Sequence, residues 1–347
     1  YLKMFVKMGY SVKFLGDNFL HEEPYSTTLQ QMGVEILYGS GYQAGIWDWL
    51  TKNKDEIDFA YLNRPHIAIK YIDFIKKNTN IKVIYYGHDL HFLREYREYE
   101  LTGDIQKKRE SDYWKSIEFS LMEKAAVSYY PSYVEEEAIH AIHPEYKIRA
   151  ITAYVYEKFL ENIDKDFEKR EGLLFVGGFA HPPNADAVLW FAKEIFPLIR
   201  QKLDVNFYVV GSKVTDEIKA LEQPGSGIIV KGFVTEEELA SLYATSRIVV
   251  VPLRYGAGVK GKVVEAVYNG SAIVTTSIGS EGIPEAERVM KVADGPEAFA
   301  DEVVKMYQDP AECRRMCEET QKYIREYFSV EAAWKVIEGD FTPEKKR

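Results

Sequence analysis

The residues from Val249 to Gly282, VVVPLRYGAGVKGKVVEAVYNGSAIVTTSIGSEG, constrain what this chain can fold into more than any other stretch. Val249, Val250 and Val251 form a short apolar run that ends at Pro252, which cannot donate to a sheet ladder. A glycine turn follows, Gly256-Ala257-Gly258, and then a helical pattern carrying Lys260, Lys262 and Glu265. A second apolar run, Ala272-Ile273-Val274, closes the unit. Strand, glycine turn, helix, strand is the arrangement by which an α/β sheet aims a helix N-terminus, with its unpaired amides and positive dipole end, at an anion. Two lysines at the start of that helix oppose its dipole unless a strong anion sits there. A phosphate group answers that requirement, and Glu265, one to two turns deeper, is placed to accept from ribose hydroxyls.

The same alternation of short apolar runs and helical patterns extends along the whole chain and predicts parallel sheets with crossover helices. Strands are expected at 11–15, 34–37, 59–62, 82–86, 127–130 and 148–151. A second set is expected at 173–176, 206–210, 227–230, 247–251, 272–275 and 289–292. Helices are expected over 26–32, 45–54, 65–77, 92–124 and 132–142. In the second half Asn184 reads as an N-cap after Pro182-Pro183, Thr235 with Glu238 as a capping box, and Pro296 as a first-turn proline. The charge-rich stretch 154–171 reads as a linker. With 347 residues, two domains are the default expectation. The fold class is therefore α/β, two Rossmann-like domains facing each other across a cleft. They are expected to span 1–160 and 161–325, with 326–347 returning as a helix and tail to the first. The chain opens on YLKMFVKMGYSVKFLG, a helix tail and a strand. That opening reads as a domain whose first strand is missing.

Net charge is −10 and neither half carries a basic excess, which argues against a nucleic-acid partner. No apolar run approaches the roughly 20 residues of a membrane span. Cys313 and Cys317 read as two free thiols on a charged helix, as suits a reducing compartment. Two HxxH pairs, His88/His91 and His140/His143, lack the spacing and the glutamate of zinc enzymes, so no metal site is expected.

Several residues gather around the glycine turn and at other strand ends, where open α/β sheets bind ligands. Arg254, Lys260 and Lys262 are candidates for phosphate, with the backbone of Gly256, Ala257, Gly258 and Val259 between them. Gly177-Gly178 follows a strand and is a candidate diphosphate contact, while Phe233 is a candidate for holding a nucleobase. In the first half His88 and Asp89 end a buried strand and are the candidate catalytic pair. Arg94 and Arg97 lie on the charged helix beyond, which otherwise reads as a solvated face.

At these residues the chain resembles the family 4 glycosyltransferases, in the subgroup with a Gly-Ala-Gly-x-Lys-x-Lys turn. The motifs are LLFVGGFAHPPNADAVLWF, FYVVGS, VKGFVTEEELASLYATSRIVVVPL, RYGAGVKGKVVEAVYNGSAIVTTSIGSEGI and, in the first half, VIYYGHDLHF. The resemblance implies the GT-B architecture and a nucleotide-diphosphate sugar as donor substrate, with no separate cofactor. It also implies retaining, metal-independent transfer to a glycan or lipid-linked acceptor. The family's paired Glu-x7-Glu motif keeps only its second acid, Glu265. Ala257 stands in place of the first, and the amides of Ala257–Val259 are expected to replace that contact. The Arg and Lys common after the domain's first strand are also absent, which leaves diphosphate charge to Arg254, Lys260 and Lys262. His88 is expected to orient the donor sugar. The family implies surface polysaccharide assembly, in the cytoplasm or at the inner face of the membrane, and other modules of a longer chain as partners. The alternatives are a catalytically silent glycan-binding or scaffolding module and a nucleotide-sugar 2-epimerase.

Overall fold

The computed structural model describes residues 1–342. They form two compact units: residues 1–88, 112–151 and 330 onward make the first, and residues 89–111 with 152–329 the second.

The first unit holds β1 (Lys13–Leu15), β2 (Glu35–Leu37), β3 (Phe59–Asn63), β4 (Lys82–Tyr86), β5 (Val127–Tyr130) and β6 (Ile148–Ala150). β1 and β2 pair in parallel, and β3-β4-β5-β6 form a second parallel sheet in that order. Burial on both faces explains why β4 and β5 read as mostly apolar and aromatic runs rather than alternating ones. The core here is aromatic. Tyr61 stacks with Tyr86 at 6.1 Å, and Phe341 packs on Phe5 at 4.7 Å. The helix Val330–Ile337 belongs to this unit. Asp340, just beyond it, is tied down, with Tyr129 donating to its carboxylate and Lys82 to its carbonyl, both at 2.7 Å.

The second unit is a six-stranded parallel sheet of β7 (Leu173–Val176), β8 (Phe207–Val210), β9 (Ile228–Gly232), β10 (Ile248–Val251), β11 (Ala272–Thr275) and β12 (Lys291–Val292). Its order is β12-β11-β10-β7-β8-β9. The chain thus winds outward one way from β7 and the other way from β10. The two central strands pair directly, Ile248 beside Leu173. The loops leaving their C-terminal ends diverge there, which opens a crevice at the switch point of a doubly wound sheet. Every residue of β10 and β11 is buried. Cys313 and Cys317 are free and fully buried in this core, and burial pushes the Cys313 thiol up to about 12.

Three expected boundaries change. The helix read over 92–124 is two helices, His91–Thr102 and Ile105–Lys124. Gly103, at φ +72°, ends the first in a left-handed turn with its N–H on the Tyr99 carbonyl at 2.7 Å. Asn184 is not an N-cap: His181 takes that place, and Pro182 opens the helix Pro182–Trp190. Proline is preorganised for a first helical turn, so the pair belongs inside the helix and carries Asn184 in with it. The stretch 154–171 packs within the second unit, where Tyr156 stacks on Tyr268 at 4.3 Å. The Thr235–Glu238 capping box and the Pro296 helix start are as expected.

Candidate nucleotide-sugar site

A cavity of about 370 Å³ opens at the C-terminal ends of β7, β8 and β9, lined among others by Gly177, Gly178, Asn184, Phe233, Lys262 and Glu265. Five of these six were singled out from sequence, and the sheet order explains why they meet. Gly177-Gly178 leaves β7, Phe233 leaves β9, and Lys262 and Glu265 ride the helix Gly261–Tyr268 that follows β10.

Close backbone approach fixes the glycines. A Cβ on Gly177 would lie 3.0 Å from the Asn184 amide and 3.2 Å from Lys262 Cε. A Cβ on Gly211 would lie 1.8 Å from the Gly177 carbonyl oxygen. Beside them Lys262 Nζ donates to Asn184 Oδ1 at 2.6 Å, and Asn184 Nδ2 donates to the Gly178 carbonyl at 2.7 Å. Asn184 is thus a site residue that sequence reading assigned only to helix capping. Its signal was the HPPN run, whose prolines place it in the first helical turn.

The site is electropositive at its floor. Burial pushes the Lys262 ammonium down to about 8, and the nearby Lys260 charge adds to the effect. His181, at the N-cap of the helix Pro182–Trp190, is held below the ordinary imidazole range by burial and then by Arg94, Lys262 and Lys260. Burial raises the Glu265 carboxyl, with the Tyr243 hydroxyl beside it and the Lys262 ammonium working the other way. An anion here would relieve the lysine and the imidazole together. A ribose hydroxyl donating to Glu265 would favour the carboxylate.

The register of β8 and β9 shifts at Val209/Val210, and Gly232 turns at φ +70°. The next side chain, Phe233, is 81% exposed at the cavity wall. An exposed aromatic beside a polar cavity offers a stacking face for a base. Replacing Phe233 by Ala is expected to cost about 1 kcal/mol of nucleotide affinity, read by calorimetry, and to leave the melting temperature unchanged.

The remaining candidates are held elsewhere. Arg254 forms a bidentate pair with Asp186, one arm at 2.9 Å, and lies over Trp190. Lys260 is 8% exposed, donates to the Gly258 carbonyl and sits 3.7 Å from Glu281. Asp89 pairs with Arg94 and with His91 Nδ1 at 3.2 Å, all in the second unit. His88 is in the first unit, at the end of β4, with Nε2 3.3 Å from Asn63 Oδ1 and its ring 4.3 Å from that of Tyr86. Arg97 bonds both Gly256 and Glu281, an engagement no local sequence pattern announces.

Residues 170–309 match the model of the family "Glycosyl transferases group 1". A relative from Klebsiella pneumoniae, an uncharacterized 44.6 kDa protein in a cps region, is 32% identical over 116 residues. That match spans 32% of this chain and 30% of the relative's length. Among solved structures, sucrose-phosphate synthase from Thermosynechococcus elongatus superposes with a TM-score of 0.71 at 14% identity, covering 98% of this chain and 90% of its own. Anabaena HepE in complex with UDP and glucose gives 0.69 at 13% identity, covering 98% and 94%. Staphylococcus aureus TarM, in a complex that includes UDP, gives 0.63 at 13% identity, covering 84% and 57%. The chain has the GT-B fold of these glycosyltransferases, and over residues 170–309 it carries the group 1 glycosyl transferase pattern.

Proposed function

We propose that this chain transfers a sugar from a nucleotide-diphosphate donor to a glycan or lipid-linked acceptor, with retention and without a metal, in surface polysaccharide assembly. The observation that carries the reading is the cavity at the switch point, where Gly177, Gly178, Lys262, Glu265 and Phe233 converge. Their chemistry matches the parts of a nucleotide: close backbone and an ammonium for the diphosphate, a carboxylate for the ribose, an aromatic face for the base. As the sugar departs, negative charge builds on the diphosphate. Preorganised amides and a desolvated lysine stabilise that charge more than they stabilise the ground state. The cps-region relative supports the place in polysaccharide assembly.

A thermal-shift and donor-hydrolysis screen across UDP-, GDP-, ADP- and dTDP-sugars tests the proposal. A stabilising donor that is turned over supports it, and a chain that binds glycan but neither binds nor cleaves any of the four refutes it in favour of a silent module. Glu265→Gln removes the carboxylate's charge from a hydrogen bond worth about 1.5 kcal/mol. Nucleotide affinity is therefore expected to fall about tenfold by calorimetry, with the unliganded melting temperature unmoved. A large stability loss with intact affinity would make Glu265 structural.

A further inference from the structure

The glycine turn between β10 and the helix Gly261–Tyr268 is held by its carbonyls. Arg97 Nη1 donates to the Gly256 carbonyl at 2.7 Å and to Glu281 Oε2 at 2.7 Å, while Nη2 donates to Glu281 Oε1 at 2.8 Å. Lys260 Nζ takes the Gly258 carbonyl and lies 3.7 Å from the same Glu281. Glu281, its side chain 12% exposed, is thus a part-buried carboxylate that holds the Arg97 fork and faces the Lys260 charge. All these residues belong to the second unit.

A trans peptide unit is planar, with its C=O and N–H pointing opposite ways. Fastening the Gly256 carbonyl to Arg97 therefore turns the Ala257 N–H away from Arg97. Fastening the Gly258 carbonyl to Lys260 does the same for the Val259 N–H. Among the described residues neither amide has a backbone acceptor. Gly256 at φ +145° and Gly258 at φ +73° hold backbone conformations that glycine alone adopts readily.

We infer that Arg97, Glu281 and Lys260 form a carbonyl clamp that positions the Ala257 and Val259 amides as the anion-binding pair of the turn. This rests on the function proposed above and divides the work of the two lysines. Lys262, which lines the cavity, meets the anion; Lys260 is a positioning residue. Arg97 is a second positioning residue, on a helix that precedes β5 in sequence yet packs with the second unit.

The test uses the full chain. In the unliganded protein, amide order parameters by NMR are expected to fall from about 0.85 to below about 0.6, chiefly at Ala257 in Arg97→Ala and chiefly at Val259 in Lys260→Met. Calorimetry with UDP, GDP, ADP and dTDP as probes should show about a tenfold loss in both variants for whichever the wild type binds. Arg97→Lys, which can reach one acceptor but not hold the fork, should recover part of the loss. It also serves if Arg97→Ala does not fold. Rigid amides together with unchanged affinity would overturn the clamp. If the wild type binds none of the four probes, the proposed function fails, and the order parameters alone decide the clamp.

Discussion

Nucleoside diphosphate affinity is expected to fall about 10- to 150-fold when Lys262 is replaced by Met, and in the wild type to decline as the pH rises above 8. The first effect is the loss of a charge-assisted hydrogen bond in a buried site, about 1.5–3 kcal/mol. Methionine retains the stem that packs near Phe175 and Gly177. The second effect follows from linkage. Burial leaves the free Lys262 ammonium with a pKa of about 8, and a bound diphosphate favours the charged form and raises it. Up to pH 8 the lysine stays mostly protonated with or without ligand and itself adds little slope. Above it, binding takes up a proton, and affinity falls toward tenfold per pH unit until the bound-state value is reached. Calorimetry at pH 7 and 9, in buffers of different ionisation enthalpy, reads both quantities. Proton uptake at pH 9 should vanish in Lys262→Met. Its absence in the wild type would move the anion away from Lys262.

What the sequence made legible follows from what is local. β4, β5, β7 and β11 lie where expected, because a strand buried on both faces reads as a short run dominated by apolar and aromatic residues. Lys262 and Glu265 were legible because one helix turn sets their spacing, and Phe233 because it directly follows a strand and a glycine. The long helix was misread because the signal that breaks it, one glycine amid charged residues, is weak beside the helical pattern on either side. The Arg97 engagement was out of reach for another reason. Its partners lie 159 and 184 residues away, and only the packing of residues 89–111 with the second unit brings them together. The same distance hid the fate of Arg254. Asp186 had no visible reason to claim it until β7 and β10 became neighbours.

Replacing His88 by Asn is expected to lower sugar transfer or donor hydrolysis by about 10²-fold or more while leaving nucleoside diphosphate affinity nearly intact. The cavity that carries the nucleotide reading is lined by second-unit residues alone, and His88 belongs to the first. A group that acts on the reacting sugar chiefly in the transition state affects turnover before binding. Two features make this histidine more than a surface residue. Its backbone sits at φ +69°, a strained region for a residue with a branched ring side chain. The residue before it is fixed by packing, since a Cβ on Gly87 would lie 2.3 Å from the Tyr130 ring. The strand end is thus over-determined, and the ring is held between Asn63 and Tyr86 in a costly conformation. Strain of that kind at the C-terminal end of a parallel strand is a reason to look for function there. Asparagine tolerates the left-handed backbone, so His88→Asn separates loss of the imidazole from loss of the turn. Steady-state kinetics beside calorimetry decides the matter. Equal losses in turnover and nucleotide affinity would make His88 a part of the binding site, and wild-type turnover would remove it from the reaction.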